Sequence, residues 1–216
     1  MGAKFRPDIE GLRGLAVLLV VVFHAGLGLS GGFIGVDVFF VISGFLITGL
    51  LLREREQTGR IDFIAFYARR IRRLLPAALA VILITLPIAF VLFAPLDRVQ
   101  MIWDGAASAL SVGNIRFALA EGDYFANLAA PSPFLHFWSL GVEEQFYLIW
   151  PALLLLAATA RHIRRGAWLA LFNVFLASLT AAAVLTTIAP NWAFYSLPTR
   201  AFELAAGGLL AVLAPT

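Results

Sequence analysis

The amino-acid sequence predicts an all-α, polytopic transmembrane helix bundle of about six spans plus one re-entrant or interfacial segment. Three observations predict it. Of the 216 residues, 61% are hydrophobic and only 13% are charged, about half the charged fraction of an ordinary soluble domain. Mean hydropathy is +0.90, which means more apolar surface than one aqueous core of this size can hide. The arginines gather between long apolar runs, as the positive-inside rule arranges them.

Nearly charge-free stretches place the spans at about 13–29, 33–53, 74–94, 138–160, 167–189 and 199–216. Lys4 and Arg6 precede the first run as they would in a signal peptide. The long apolar runs that follow, and a histidine inside the first, favour a retained helix instead. Gly31-Gly32 makes the tight connection to the second span. Pro76 is expected in the first turn of the third, where its missing N–H does no harm. A short amphipathic segment, Asp62–Arg73, should precede it.

The stretch 98–120 is long enough to span but carries Asp104, Asn114 and Arg116. Loop charge decides its reading. Residues 53–73 hold seven arginines, so that loop and the N-terminus are cytoplasmic. If 98–120 crossed, the basic cluster Arg161–Arg165 would lie outside and the acidic, Lys- and Arg-free stretch 121–137 inside. Both placements violate the rule, so 98–120 should not fully span. Such backbone is tolerated in a membrane only against protein or a water-filled cavity. The chain stops at Thr216 inside an apolar run, so residues 1–216 read as one membrane domain, incomplete at its C-terminus.

Several function classes are disfavoured. A net charge of +3 and a pI of about 9.8 would hint at nucleic acid in a soluble protein. Here the basic residues belong to topology, and the partner surface is the lipid bilayer. With no cysteine, disulfides and thiolate catalysis are excluded. Three histidines, His24, His136 and His162, make a structural metal site unexpected.

His24 is the first candidate catalytic residue. It lies in the otherwise apolar or glycine run Ala16–Leu29, and an ionisable group inside a span is a functional-site hypothesis by default. The plainer alternative is a packing histidine bonded to a backbone carbonyl. Arg13 precedes it by eleven positions, roughly 16 Å and about 20° past three full turns, so the two share a face. That suits a ligand lying along the helix, its anionic head at Arg13 and its reactive end at His24. Asp37, four residues into the second span, should match His24 in depth and can orient the imidazole; an interfacial helix-start carboxylate is the alternative. Glu143, Glu144, Arg200 and Glu203 open later spans at the same expected level. The alternative is that helix starts collect charge.

Arg69, Arg70, Arg72 and Arg73 pair by helix faces and suit phosphate recognition; from charge alone, topology and anionic-lipid contact explain them better. The aromatics Tyr124, Phe125, Phe134, Phe137, Trp138, Trp192 and Tyr195 suit sugar stacking or an interfacial belt.

Taken together the runs resemble a known family. FRPDIEGLRGLAVL (5–18) with His24 beyond it, GFIGVDVFFVISGFLIT (32–48), FYARRIRRLLP (66–76), HFWSLGVEEQFY (136–147) continuing to Pro151, and SLPTRAFELAAG (196–207) are similar to stretches of the acyltransferase family 3 membrane proteins, in the same order. Glycine at position 14 is a mild departure. The resemblance implies transfer of an acyl group, usually acetyl from cytoplasmic acetyl-CoA, to a hydroxyl of an extracytoplasmic glycan or surface molecule. It places the family's Arg-X10-His motif on Arg13 and His24, and its Arg-X-X-Arg motif on Arg69/Arg72 or Arg70/Arg73. It implies about ten helices in all and, from the opening motif, a C-terminal extracytoplasmic domain beyond this chain. The setting would be the bacterial inner membrane, N-terminus cytoplasmic, with no metal.

On that reading coenzyme A docks on Arg13 and the 69–73 arginines. His24, oriented by Asp37 or by Glu143, takes the acceptor's proton or is itself acylated. Glu144, Trp138, Arg200 and Glu203 face the acceptor. A polar channel should join the arginines to His24. The rival is a proton-coupled transporter, which would also bury His, Asp and Glu at one depth. A third class is an assembly subunit whose polar groups only bind helices together.

Overall fold

The computed structural model describes residues 6–120, 131–157 and 163–214. Lys4, Phe5, Tyr124, Phe125, Arg161, His162 and Thr216, named above, lie outside the described residues. The described residues are helical, with no strand among them. The helices are α1 (Pro7–His24), α2 (Ile34–Thr58), α3 (Phe63–Leu92), α4 (Pro95–Ala109), α5 (Gly113–Ala120), α6 (Phe137–Ala157), α7 (Ile163–Ile188), α8 (Pro190–Tyr195) and α9 (Leu197–Leu213). Four of them, α2, α3, α6 and α7, are long and apolar enough to cross a membrane. The other two expected spans, α1 and α9, are shorter; α1 carries Asp8, Glu10 and Arg13, and α9 has 17 residues.

The first helix ends five residues earlier than the apolar run suggests. Gly26 and Gly28 adopt φ of 67° and 81°, the left-handed region that glycine enters without a Cβ clash. The amides of Gly26 and Leu27 turn back to the carbonyls of Phe23 and Val22, the paired bonds of a Schellman stop. His24 is therefore the last residue of α1, not a residue within it. The chain then returns through Gly32 into α2. Gly35 packs against α1 so closely that a Cβ would meet Val20 Cγ2 at 2.8 Å.

α3 is one continuous helix of 30 residues, not an amphipathic segment followed by a separate span. Asp62 caps it by accepting from the Ala65 amide at 2.9 Å. Pro76 sits fourteen residues in, not in the first turn. Proline removes one ladder bond and kinks more often than it terminates when neighbouring turns are well paired.

Contacts between elements define two ends of the bundle. At one end lie His24, the start of α2 and the start of α9, since Arg200 bonds Asp37 at 3.3 Å. At the other, Arg69 of α3 meets Glu54 of α2 at 3.7 Å, and Arg164 of α7 meets Glu56 at 2.6 Å. α3 thus runs from the arginine end towards the His24 end, where α6 begins. The chain between them makes no net crossing. The 98–120 stretch breaks into α4 and α5 around Ser111, whose φ is 57°. Gln145 donates to the Ser111 carbonyl at 3.1 Å and to Asn114 Oδ1 at 2.8 Å. Gln145 is the ninth residue of α6, roughly 12 Å along it, so the break is seated within the bundle, as expected of a re-entrant segment. Its exposed backbone is satisfied by protein.

α2 and α9 form the central contact. A Cβ on Gly44 would collide with the Leu204 carbonyl, and one on Gly207 with that of Val41. Small residues let membrane helices approach this closely, where dispersion contacts replace the missing hydrophobic drive.

Candidate active site

A cavity of about 370 Å³ opens at the His24 end, lined by His24 and Phe23 of α1, Phe33, Val36 and Asp37 around the start of α2, and Arg200 of α9. Ser132, Leu135, His136 and Trp138 come from the entry to α6, and Phe194 and Tyr195 from α8. The glycine stop after His24 and the Gly31-Gly32 return bring the first two elements together. Aromatic rings supply much of the wall: Trp138 packs on Phe194 at 4.8 Å between centroids and edge-on to Tyr195 at 5.7 Å.

His24 is exposed to this space, a correction to the expectation of a buried imidazole five residues inside a span. Its Nδ1 lies 2.8 Å from the Val20 carbonyl. A carbonyl only accepts, so that nitrogen carries the hydrogen, and Nε2 of the neutral ring keeps its lone pair. The imidazole is thus oriented by its own helix. Asp37 and Glu143, expected to orient it, have other partners.

Asp37 accepts from Arg200 Nη1 at 3.3 Å, and the same nitrogen reaches Glu203 Oε1 at 2.9 Å. Arg200 Nε donates to the Phe194 carbonyl at 2.9 Å, and the guanidinium lies over the Phe194 and Trp138 rings at 4.9 and 5.6 Å. Arg200 is therefore clamped by two carboxylates and two aromatic faces. It braces the cavity wall, and Glu203 lies behind it, buried.

Glu143 belongs to a second cluster. It accepts from the Ser43 and Tyr147 hydroxyls. Arg70 lies over the Tyr147 ring at 4.1 Å. Ser43 is six residues beyond Asp37, about 9 Å deeper along α2. Glu144 Oε1 is buried with no hydrogen-bond partner among the described residues. The glutamates therefore do not join His24 at one level; depth along a helix is readable from spacing, but the direction of a side chain around it is not.

The expected arginines sit apart from the cavity. Arg13 pairs with Glu10 at 3.2 Å, Arg69 with Glu54, and Arg72 and Arg73 are exposed. None of them lines the cavity that holds His24, so the continuous channel expected from the sequence is not the form this space takes. No cluster of three or more metal-ligating side chains occurs among the described residues.

The family model described as an acyltransferase domain matches residues 6–215. The chain belongs to acyltransferase family 3. It is 39% identical to the peptidoglycan O-acetyltransferase OatA of Listeria monocytogenes over 98% of this chain and 34% of that protein. It is 38% identical to the putative peptidoglycan O-acetyltransferase YrhL of Bacillus subtilis over 98% of this chain and 34% of that protein. It is 39% identical to the O-acetyltransferase OatA of Staphylococcus aureus over 98% and 35%. The chain thus spans about a third of the length of the curated relatives it matches. No solved structure matches it. The apolar helices and the family make it an integral membrane protein.

Sequence reasoning missed two features. His136 lines the same cavity as His24 but received no role, because it lies just outside a span, where histidines are common. The Ser43–Glu143–Tyr147 cluster joins two helices, α2 and α6; only the unusual hydroxyl of Ser43 amid apolar neighbours signals it.

Proposed function

We propose that this chain is the membrane part of an O-acyltransferase that moves an acetyl group from cytoplasmic acetyl-CoA to a hydroxyl of an extracytoplasmic cell-wall glycan, peptidoglycan being the acceptor named for two of the relatives. The observation that carries the reading is His24 on the aromatic-walled cavity, with Nδ1 tied to Val20 and Nε2 free to accept a proton. An imidazole so held is a general base for an alcohol, and flat aromatic faces suit the apolar faces of a sugar ring. Arg200 is already neutralised by Asp37 and Glu203, which favours an uncharged part of the acceptor in the cavity over an anionic one.

The donor side rests on charge. Arg72 and Arg73 are exposed at the opposite end of the bundle, where guanidinium forks can take the phosphates of coenzyme A. Arg13 lies eleven residues before His24, roughly 16 Å down the same helix. The membrane would be the inner membrane, with the N-terminus and these arginines on the cytoplasmic side. The transporter alternative is not favoured: the relatives named here are transferases.

The test is mass spectrometry of muramidase-digested cell wall from cells making the full-length protein, wild type against His24→Ala and Arg72→Ala/Arg73→Ala. Loss of a general base slows turnover by about 10²–10⁴-fold, so O-acetylated fragments should disappear in His24→Ala. The arginine variant should need more acetyl-CoA in membrane assays. Undiminished acetylation in His24→Ala removes the basis for the assignment.

A further inference from the structure

The cavity contains a second imidazole. His136 stands immediately before α6, exposed to the same space as His24. A neutral imidazole keeps one basic nitrogen; in His24 it is Nε2, because Nδ1 is tied to the Val20 carbonyl. One cavity therefore presents two imidazoles from two elements, each with a basic nitrogen.

We propose that His136 is a proton-relay residue: it receives the proton that His24 takes from the acceptor hydroxyl and passes it to water at the cavity mouth. The inference rests on the acyltransferase reading of this cavity. The step balances as follows. The hydroxyl O–H bond breaks as its oxygen forms the new bond to the acetyl carbon, and the proton goes to Nε2 of His24. The electron pair of the carbon–sulfur bond leaves with the coenzyme A sulfur as a thiolate, which takes a proton from water on its own side. The proton on His24 then moves to the free nitrogen of His136 and on to bulk water, and both rings return to their starting state. The acceptor hydroxyl enters from the cavity mouth, so its proton can return to water by the same opening. A relay at the mouth does this.

The electrostatics agree in direction. Burial beside the wall pushes His136 below the usual histidine range, the Pro133 backbone opposes that, and positive charge on His24 lowers it again. A site that binds its proton weakly releases it readily. The other ionisable groups on the cavity are Asp37 of α2, Tyr195 of α8 and Arg200 of α9; Asp37 and Arg200 are paired with each other.

The experiment uses the full-length protein in membrane vesicles with acetyl-CoA and a soluble glycan acceptor, at low and high buffer concentration. His136→Gln keeps a polar amide of similar size but has no titratable nitrogen. The expected result is a turnover at least tenfold slower in dilute buffer, KM for the acceptor unchanged, and recovery of most of the rate on adding free imidazole on the acceptor side. Wild type should not respond to imidazole. His136→Gln at full rate in dilute buffer overturns the relay, and so does a slow variant that imidazole cannot rescue, since that is the signature of a structural role. A wild-type protein that transfers no acetyl group under any buffer condition sinks the underlying reading, and the relay with it.

Discussion

Removing the Arg200 guanidinium should destabilise the bundle more than removing either carboxylate it serves. The side chain is 17% exposed and holds Asp37, 31% exposed, and Glu203, 6% exposed. Arg200→Met leaves both carboxylates without their cation, and Glu203 has one oxygen, Oε2, already unpartnered among the described residues. Breaking a buried ion pair by deleting one partner costs about 3–5 kcal/mol. Glu203 should carry most of that cost, because Asp37 reaches water through the cavity. Replacing all three groups with neutral ones of similar shape, Arg200→Met with Asp37→Asn and Glu203→Gln, removes the uncompensated charges and should recover most of the loss. The assay is thermal unfolding of the detergent-solubilised full-length protein. Arg200→Met melting with wild type, or the triple variant melting as low as Arg200→Met, would show that the pair is not what holds α9 against α2.

Two further outcomes follow from the packing and the cavity. Gly207→Val puts branched carbons where the Val41 carbonyl lies and should cost about 1–3 kcal/mol by overpacking, with Gly44→Val similar and Gly14→Val much smaller by thermal unfolding, since nothing lies within 4 Å of a Cβ at Gly14. His136 binds its proton less tightly folded than unfolded, so its contribution to stability is present above the ordinary imidazole range and diminishes as pH falls through it. His136→Gln should flatten that part of the pH–melting curve, and a variant with the same acid-side slope as wild type contradicts the assignment.

The bundle's topology was open to a reader of the residues because charge is scarce here. Each arginine-rich stretch marks one end of the bundle, and the non-spanning nature of 98–120 follows from loop charge alone. That His24 and Asp37 line one cavity was equally accessible, since Gly31-Gly32 brings the end of α1 beside the start of α2. What depth cannot supply is rotation. Glu143 and Asp37 were placed together, yet one points to Ser43 and Tyr147 and the other to Arg200, because the faces of α6 and α2 are nearly uniform in hydropathy. The end of α1 was misjudged for another reason. The glycine signal at Gly26 was present, but in an apolar run hydropathy outweighs it. Pro76 was given the role of a boundary when the surrounding turns are strong enough to carry it inside a helix.

α1 rests chiefly on α2, through the close approach of Gly32 and Gly35, and most of its remaining surface is exposed. The imidazole at its tip is therefore mounted like a needle on a single bearing. Wear at that one joint would carry the tip off its mark while the rest of the bundle stood unchanged. On the proposed role of His24, substitutions along the α1–α2 seam can thus silence the protein without unfolding it.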